Sequence, residues 1–328
     1  MTRLNRIDDL LFPVEEHPVF ASIPDPNGER RVAIPDKKAI VNRTTGRVVG
    51  VVSRSYRLVS NTQALDWARD CCRHVFPASS EAEWEVKAAD GPVTGGHCAI
   101  DLKHNSTALD FTLTPAKDRP EAFGPFIRVI NSYNALRALS FAIGFHRKVC
   151  KNGLILPQTV ISFRFTHSRR DIGERIEFNI AHEKLVTLKA SLGGYVEALH
   201  ACNVPADQFG PFVKAVLQIT ELRPKASLRE IEQRQELESH LLELHERYVD
   251  ELGWNAYAVF NVVTEFATRP IATHWTRREC HSYQRLVGQW TADFYHQAKQ
   301  PGFTLTGHLK SLANAAPERP VALGQVRE

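Results

Sequence analysis

The chain has 328 residues, 43% hydrophobic and 24% charged, with a formal net charge of +4. That is the composition of a globular protein of two domains, or of one large domain with appended helices, able to bury a core without covalent staples. No apolar run reaches the roughly 18 residues of a membrane span. The opening "MTRLNRIDDLLF" carries charges where a secretory signal is apolar, so a soluble cytoplasmic protein is expected. The six cysteines (Cys71, Cys72, Cys98, Cys150, Cys202 and Cys280) form no CxxC pair, which fits a reducing compartment.

Residues 1–36 read as an N-terminal arm. "AIVNRTTGRVVGVVS" is two apolar runs around a turn in which Gly46 supplies a positive φ, as a short hairpin needs. "VSNTQALDWARDCCRHVF" opens with Ser60 and Gln63 spaced as a capping box. It continues with Leu65, Ala68, Cys72 and Val75 at helical spacing, so Cys71 and Cys72 read as small core residues. "EAEWEVK", "HCAIDL", "ALDFTL" and "VISFRFTH" alternate apolar and polar side chains with period two, the pattern of antiparallel strands with one wet face. "ALSFAIGF" is a buried strand. From about residue 180 the period becomes helical: Leu185, Leu188, Leu192, Val196 and Leu199, with Gly193-Gly194 as a point of kinking or division. Leu237, Leu241, Leu244, Tyr248 and Leu252 follow, then "NAYAVFNVVTEFAT" and "YQRLVGQWTADFYHQA". The expected fold is α+β, with a strand-rich antiparallel region with one inserted helix over residues 37–175, a helical region over 176–314 and a mobile tail over 315–328.

Charge is segregated. Lys37 to Leu65 holds six Lys/Arg and no acid, and Pro125 to Arg170 holds eight and no acid. Those windows sum to +14, and the other 253 residues therefore carry 4 − 14 = −10. A region that meets phosphates has this footprint, and so do two solvated basic stretches balanced by acidic helices. On the first reading Arg43, Arg47, Arg54, Arg57, Arg137, Arg147, Lys148, Lys151 and Arg164 line a nucleic-acid surface, with Asn131, Ser132 and Asn152 as polar neighbours. Tyr56 and Tyr133 read equally as rings for stacked bases or as core residues with satisfied hydroxyls.

Other chemistry has weaker signals. There is no GxxxxGK[ST], GxGxxG, GxSxG or HExxH. Glu85 and Lys87 have the ExK spacing of a metal-dependent nuclease, but alternating Glu and Lys is also what a solvated strand face looks like. In "HRKVCKNG", His146, Arg147 and Lys148 precede Cys150. Nearby cations favour a thiolate, yet a nucleophile also needs a base and an oxyanion site, and a core cysteine facing inward fits the strand better. No catalytic residue, metal or cofactor is expected.

Three blocks together resemble one family. "IVNRTTGRVVGVVSRSYRLVSNTQALDWA", "FIRVINSYNALRALSFAIGFHRKVCKNGLIL" and "WNAYAVFNVVTEFATR" are similar, in order and over roughly residues 38–268, to the phage/plasmid-like proteins called domain of unknown function 932. The resemblance implies a cytoplasmic protein of a phage, plasmid or integrated element, and marks Ser53, Tyr56, Asn61, Asn131, Ser132, Cys150 and Asn152. The function expected is a nucleic-acid-binding accessory protein, acting on DNA in recombination, annealing or replication, with self-association open. The alternatives are an enzyme (nuclease or thiol enzyme) and a protein-interaction module in defence or counter-defence.

Overall fold

The computed structural model describes residues 3–4, 6–26, 28–76, 80, 83–116, 119–148, 153–154, 162–165, 167, 191–222, 224–268 and 280–315. The sequence's tail, and Val149 to Asn152 with Cys150, lie outside them. The architecture is the expected one: an antiparallel, strand-rich N-terminal half with one helix, then a helical C-terminal half. The chain falls into two compact units. A strand-rich unit comprises Met1–Phe111, Gly124–Phe145 and Val160–Thr187, and a helical unit comprises Thr112–Phe123, His146–Thr159 and Leu188–Glu328.

In the strand-rich unit, β1 (Arg3–Leu4) pairs with β5 (Trp84–Pro92), which pairs with β6 (His97–His104), which pairs with β8 (Arg119–Ser132). β9 (Leu139–Arg147) lies beside β8, and β11 (Ser162–Phe165) pairs with β9. The period-two alternation does what it predicts: Cys98, Ile100 and Leu102 of β6 are buried. A separate three-stranded sheet is formed by β2 (Val14–Asp25), β3 (Gly28–Asn42) and β4 (Val48–Ser53) in that order, all antiparallel. β3 and β4 are the predicted hairpin, and Gly46 in its turn has φ +68°.

α1 (Asn61–Val75) starts where the sequence says. The Ser60 hydroxyl accepts from the Gln63 N–H, the Gln63 side chain accepts from the Ser60 N–H, and Ala64, Leu65, Ala68, Cys71, Cys72 and Val75 are buried. Burial pushes the Cys71 and Cys98 thiols up to about 12, so both are protonated core residues at neutral pH.

The helical unit holds β7 (Phe111–Ala116) from Thr112 onward, the ends of β8 and β9, and the short β10 (Gly153–Leu154). Its helices are α2 (residues 191–201), α3 (Ala206–Val216), α4 (Leu228–Leu252), α5 (Ala256–Thr268), α6 (Cys280–Ala298) and α7 (Leu305–Ala315). α5 is buried from Ala256 to Ala267 and packs against α3, α4 and α6. α4 buries the expected Leu237, Leu241, Leu244 and Tyr248. Gly193-Gly194 does not divide α2. Instead, a Cβ at Gly194 would lie 2.9 Å from the Tyr295 hydroxyl, so the glycine admits α6.

α7 docks through His308. Its Nε2 accepts from the Trp290 indole N–H at 3.1 Å, and its Nδ1 lies 2.7 Å from Gln297 Oε1, among Phe212, Phe294 and Phe303. Both nitrogens are committed to one neutral tautomer, and desolvation lowers the pKa to about 4 despite the nearby Asp293 carboxylate. The unfolded chain binds a proton at His308 near pH 6.5 and the folded chain only near 4, so stability falls as pH drops through that window. In urea denaturation, wild type is expected to lose more stability between pH 7 and pH 4 than His308→Gln does.

Candidate nucleic-acid interface

The two acid-free windows meet inside the strand-rich unit. The residues that join them are uncharged. Ile40, Val49, Val52, Tyr56 and Tyr133 form one buried cluster, with Phe12, Val14 and Leu58 against it. β4 approaches the turn after β8 so closely that a Cβ at Gly50 would sit 2.2 Å from the Tyr133 carbonyl oxygen, which requires glycine there.

Polar groups of both windows then satisfy one another. The Tyr56 hydroxyl donates to the Ser132 carbonyl. The Tyr133 hydroxyl accepts from the Asn61 N–H at 2.8 Å. Asn131 Nδ2 donates to the Val59 carbonyl (2.9 Å) and to Asn61 Oδ1 (2.8 Å), and Asn61 Nδ2 donates to the Leu10 carbonyl (2.7 Å). Burial raises the pKa of both tyrosines and keeps their hydroxyls protonated, Tyr56 as a donor. Tyr56 also stacks on His167, centroids 4.6 Å apart, while His167 Nδ1 lies 3.0 Å from the Arg57 carbonyl. Tyr56 and Tyr133 are therefore core rings with satisfied hydroxyls, one of the two readings of the sequence. Asn131 and Ser132 are wholly buried with them.

The cations divide sharply. Arg43, Arg47, Arg54 and Arg57 are all exposed on the turns that bound β4. Arg43 Nε lies 3.3 Å from Glu15 Oε2, and Arg47 Nη1 donates to the Val93 carbonyl at 3.2 Å. No described carboxylate pairs with Arg47, Arg54 or Arg57. Lys37, exposed on β3, has none either, whereas its neighbour Lys38 is 2.7 Å from Glu16. Arg137 is half-buried after the β8 turn.

Two cations of the second window, Arg128 and Arg147, are neutralised within strands. Arg128 is gripped bidentately by Asp101 at 2.6 and 2.5 Å. Arg147, in the helical unit, is 4% exposed. Its Nε and Nη2 donate to Glu121 at 2.9 and 2.8 Å, Nη2 also donates to Glu251 at 2.7 Å, and Nη1 donates to Asn261 at 3.3 Å. The Tyr257 hydroxyl donates to Glu121 as well, and His200 lies against the Tyr257 ring at 4.4 Å. Such an arginine organises an interior. Lys148 is half-buried and its N–H donates to the Ala122 carbonyl. Lys151 and Asn152 lie outside the described residues, as does the Arg164 side chain.

Glu85 and Lys87 pair with each other on exposed β5, and the lysine holds the Glu85 carboxyl below its usual range. Among the described residues, no group of three or more His, Cys, Asp or Glu side chains could hold a metal ion. No described helix is long and apolar enough to cross a membrane.

Sequence reasoning missed the long β2–β3 pairing and with it Phe20. Cross-strand partners share a face, so Phe20, Ser22, Arg31 and Ala33 lie together on one face of the β2–β3 ribbon, and beyond the register shift after Pro18 the residues Lys37, Ala39, Val51 and Ser53 lie together on one face of the sheet. Phe20 is 52% and Val51 53% exposed. Pro18, Pro24 and Pro26 broke the strand pattern, and the Pro-Asn-Gly at 26–28 was the turn signal that could have restored it.

The family model described as a domain of unknown function, DUF932, matches residues 48–287. No curated protein and no solved structure matches the chain.

Two outcomes follow from these contacts. Arg147→Ala leaves Glu121 buried without its partner and is expected to cost about 3–5 kcal/mol in chemical denaturation. Ala135, at the tip of the β8–β9 turn, has φ +58°. Ala135→Gly relieves that left-handed backbone and is expected to raise stability by about 1 kcal/mol, read as a higher midpoint at unchanged slope.

Proposed function

The chain belongs to the DUF932 family, and from that membership and the exposed arginines of its strand-rich unit we propose that it binds single-stranded nucleic acid, DNA first. One observation carries the reading: Arg47, Arg54 and Arg57, with Lys37, stand on a solvent-facing sheet rim with no described carboxylate to neutralise them. A guanidinium free of an internal acid is available to a phosphate, whereas one already in a bidentate pair must first give up its partner. Val48 and Val51, both exposed, place apolar surface among these cations, the mixture that tracks a strand's backbone and its bases together.

The binding is dominated by phosphate contacts and carries little sequence preference. That suits an accessory role in recombination, annealing or replication of a mobile element, in the cytoplasm of its host.

The test is a salt titration of full-length protein on a single-stranded oligonucleotide, wild type beside R47E/R54E/R57E. Each phosphate contact contributes about 0.7 to the slope of log K against log salt. The triple variant is expected to bind at least roughly tenfold more weakly at low salt and to lose about 2 from the slope, with an unchanged circular dichroism spectrum. Equal slopes would remove these arginines from the site.

A further inference from the structure

Beyond its base, the β2–β3 ribbon is not part of any core. No described residue between Glu16 and Lys37 is buried. Register is nevertheless kept through six pairs past the bulge at Pro18, from Phe20↔Ala33 to Asp25↔Gly28. At about 3.3 Å per residue this projects the ribbon by roughly 20 Å. A two-stranded ribbon is marginal in water on its own, and an edge of this length invites uncontrolled pairing unless it serves a partner.

Its chemistry names the partner. The register gives each face one arginine and one large apolar side chain. Phe20, Ser22 and Pro24 share a face with Arg31, and Ala21, Ile23 and Asp25 share the other with Arg30. Both arginines are exposed, and no described carboxylate pairs with either. Each face also carries one acid: Asp25 on the face of Arg30, and Glu29 on that of Arg31, where its carboxylate accepts from the Ser22 hydroxyl at 2.6 Å. Phe20 and Ile23 are exposed large hydrophobic residues. Cations without internal partners beside an open ring are the elements that hold an unpaired strand, phosphates on the arginines and a base on the phenyl face. β3 runs on from the ribbon through Lys37, which pairs with Ser53 of β4, so the ribbon and the rim already described share one strand.

We propose that the β2–β3 ribbon is a nucleic-acid-binding arm, in which Phe20 stacks on a base of single-stranded DNA and Arg30 and Arg31 contact its phosphates. This rests on the single-strand-binding reading above. Double-stranded DNA offers no free base face to Phe20, so the ring's contribution is confined to the unpaired strand.

The experiment uses full-length protein, a single-stranded oligonucleotide and its duplex, and three variants: Phe20→Ala, R30E/R31E, and a chain in which residues 20–33 are replaced by a two-residue turn. Because the ribbon packs into no core, all three are expected to keep the wild-type melting temperature. Phe20→Ala is expected to weaken single-strand binding by roughly tenfold and leave duplex binding unchanged. R30E/R31E is expected to lower the salt slope by about 1.4. The shortened chain should show both losses. If wild type binds the strand and the shortened chain binds it equally well, the arm is overturned while the rim reading stands. If wild type binds neither nucleic acid, both fall. A melting temperature lowered in the shortened chain would also overturn the arm, by showing the ribbon to be structural.

Discussion

The strand-rich unit depends on one buried knot of neutral polar groups. Asn61 is its centre: the backbone N–H goes to Tyr133, the amide nitrogen to Leu10, and the amide oxygen receives Asn131. One residue at the first turn of α1 thereby fixes the N-terminal segment, β8 and the turn after it. The hairpin β3–β4 is tied to the same place by Tyr56 and by the absence of a side chain at Gly50. Amides and phenols can do this inside a core because they meet one another or a backbone group, with Asn131 Oδ1 the one amide oxygen of the knot left without a hydrogen bond among the described residues. An unmet donor or acceptor at such depth costs about 1–3 kcal/mol, so the members hold one another in a single arrangement.

That knot explains how the parts of the two basic windows that lie in the strand-rich unit meet without electrostatic conflict. Some described cations of these windows are neutralised by a carboxylate, and others are turned to water. Arg128 with Asp101 and Arg147 with Glu121 are the first kind, and both are nearly closed to solvent. Arg54 and Arg57 are the second. The windows touch through Tyr56, Asn61, Asn131, Ser132 and Tyr133, none of which is charged at neutral pH. The family's signature residues that fall in the described chain are thus mostly architectural: they hold in place the segments on which the exposed arginines stand.

Much of the fold was legible and much of the site was not, for reasons of range. Alternation, the Ser60–Gln63 capping box and the Leu237–Tyr248 stripe are local patterns, and the elements they predict are present. Acid-free windows are local too, but neutralisation is not. Asp101 lies 27 residues before Arg128, Glu121 lies 26 before Arg147, and Glu251 lies 104 after it. A window count cannot see such partners, so it credits a buried arginine and an exposed one equally. Tyr56 between two arginines looks like an exposed ring until its hydroxyl is seen to reach Ser132. Phe20 was invisible for the opposite reason, since three prolines hid a strand whose hydrogen bonds tolerate them along an edge.

The same distinction ranks the exposed cations. Arg43 faces Glu15, and in water such a pair is worth little; yet the carboxylate also repels an incoming phosphate, so Arg43 offers a polyanion less than its exposure suggests. Arg47 spends one N–H on the Val93 carbonyl, which fixes its direction without cancelling its charge. Arg54 and Arg57 have no described carboxylate beside them, and Arg57's backbone is anchored: its N–H donates to the His167 carbonyl at 2.5 Å and its carbonyl meets the His167 ring. An unneutralised side chain on a fixed backbone loses the least entropy on meeting a phosphate. On the proposed reading Arg57 would therefore be the strongest anchor of the rim and Arg43 the weakest, an ordering set by carboxylates and backbone bonds and not by position in a basic run.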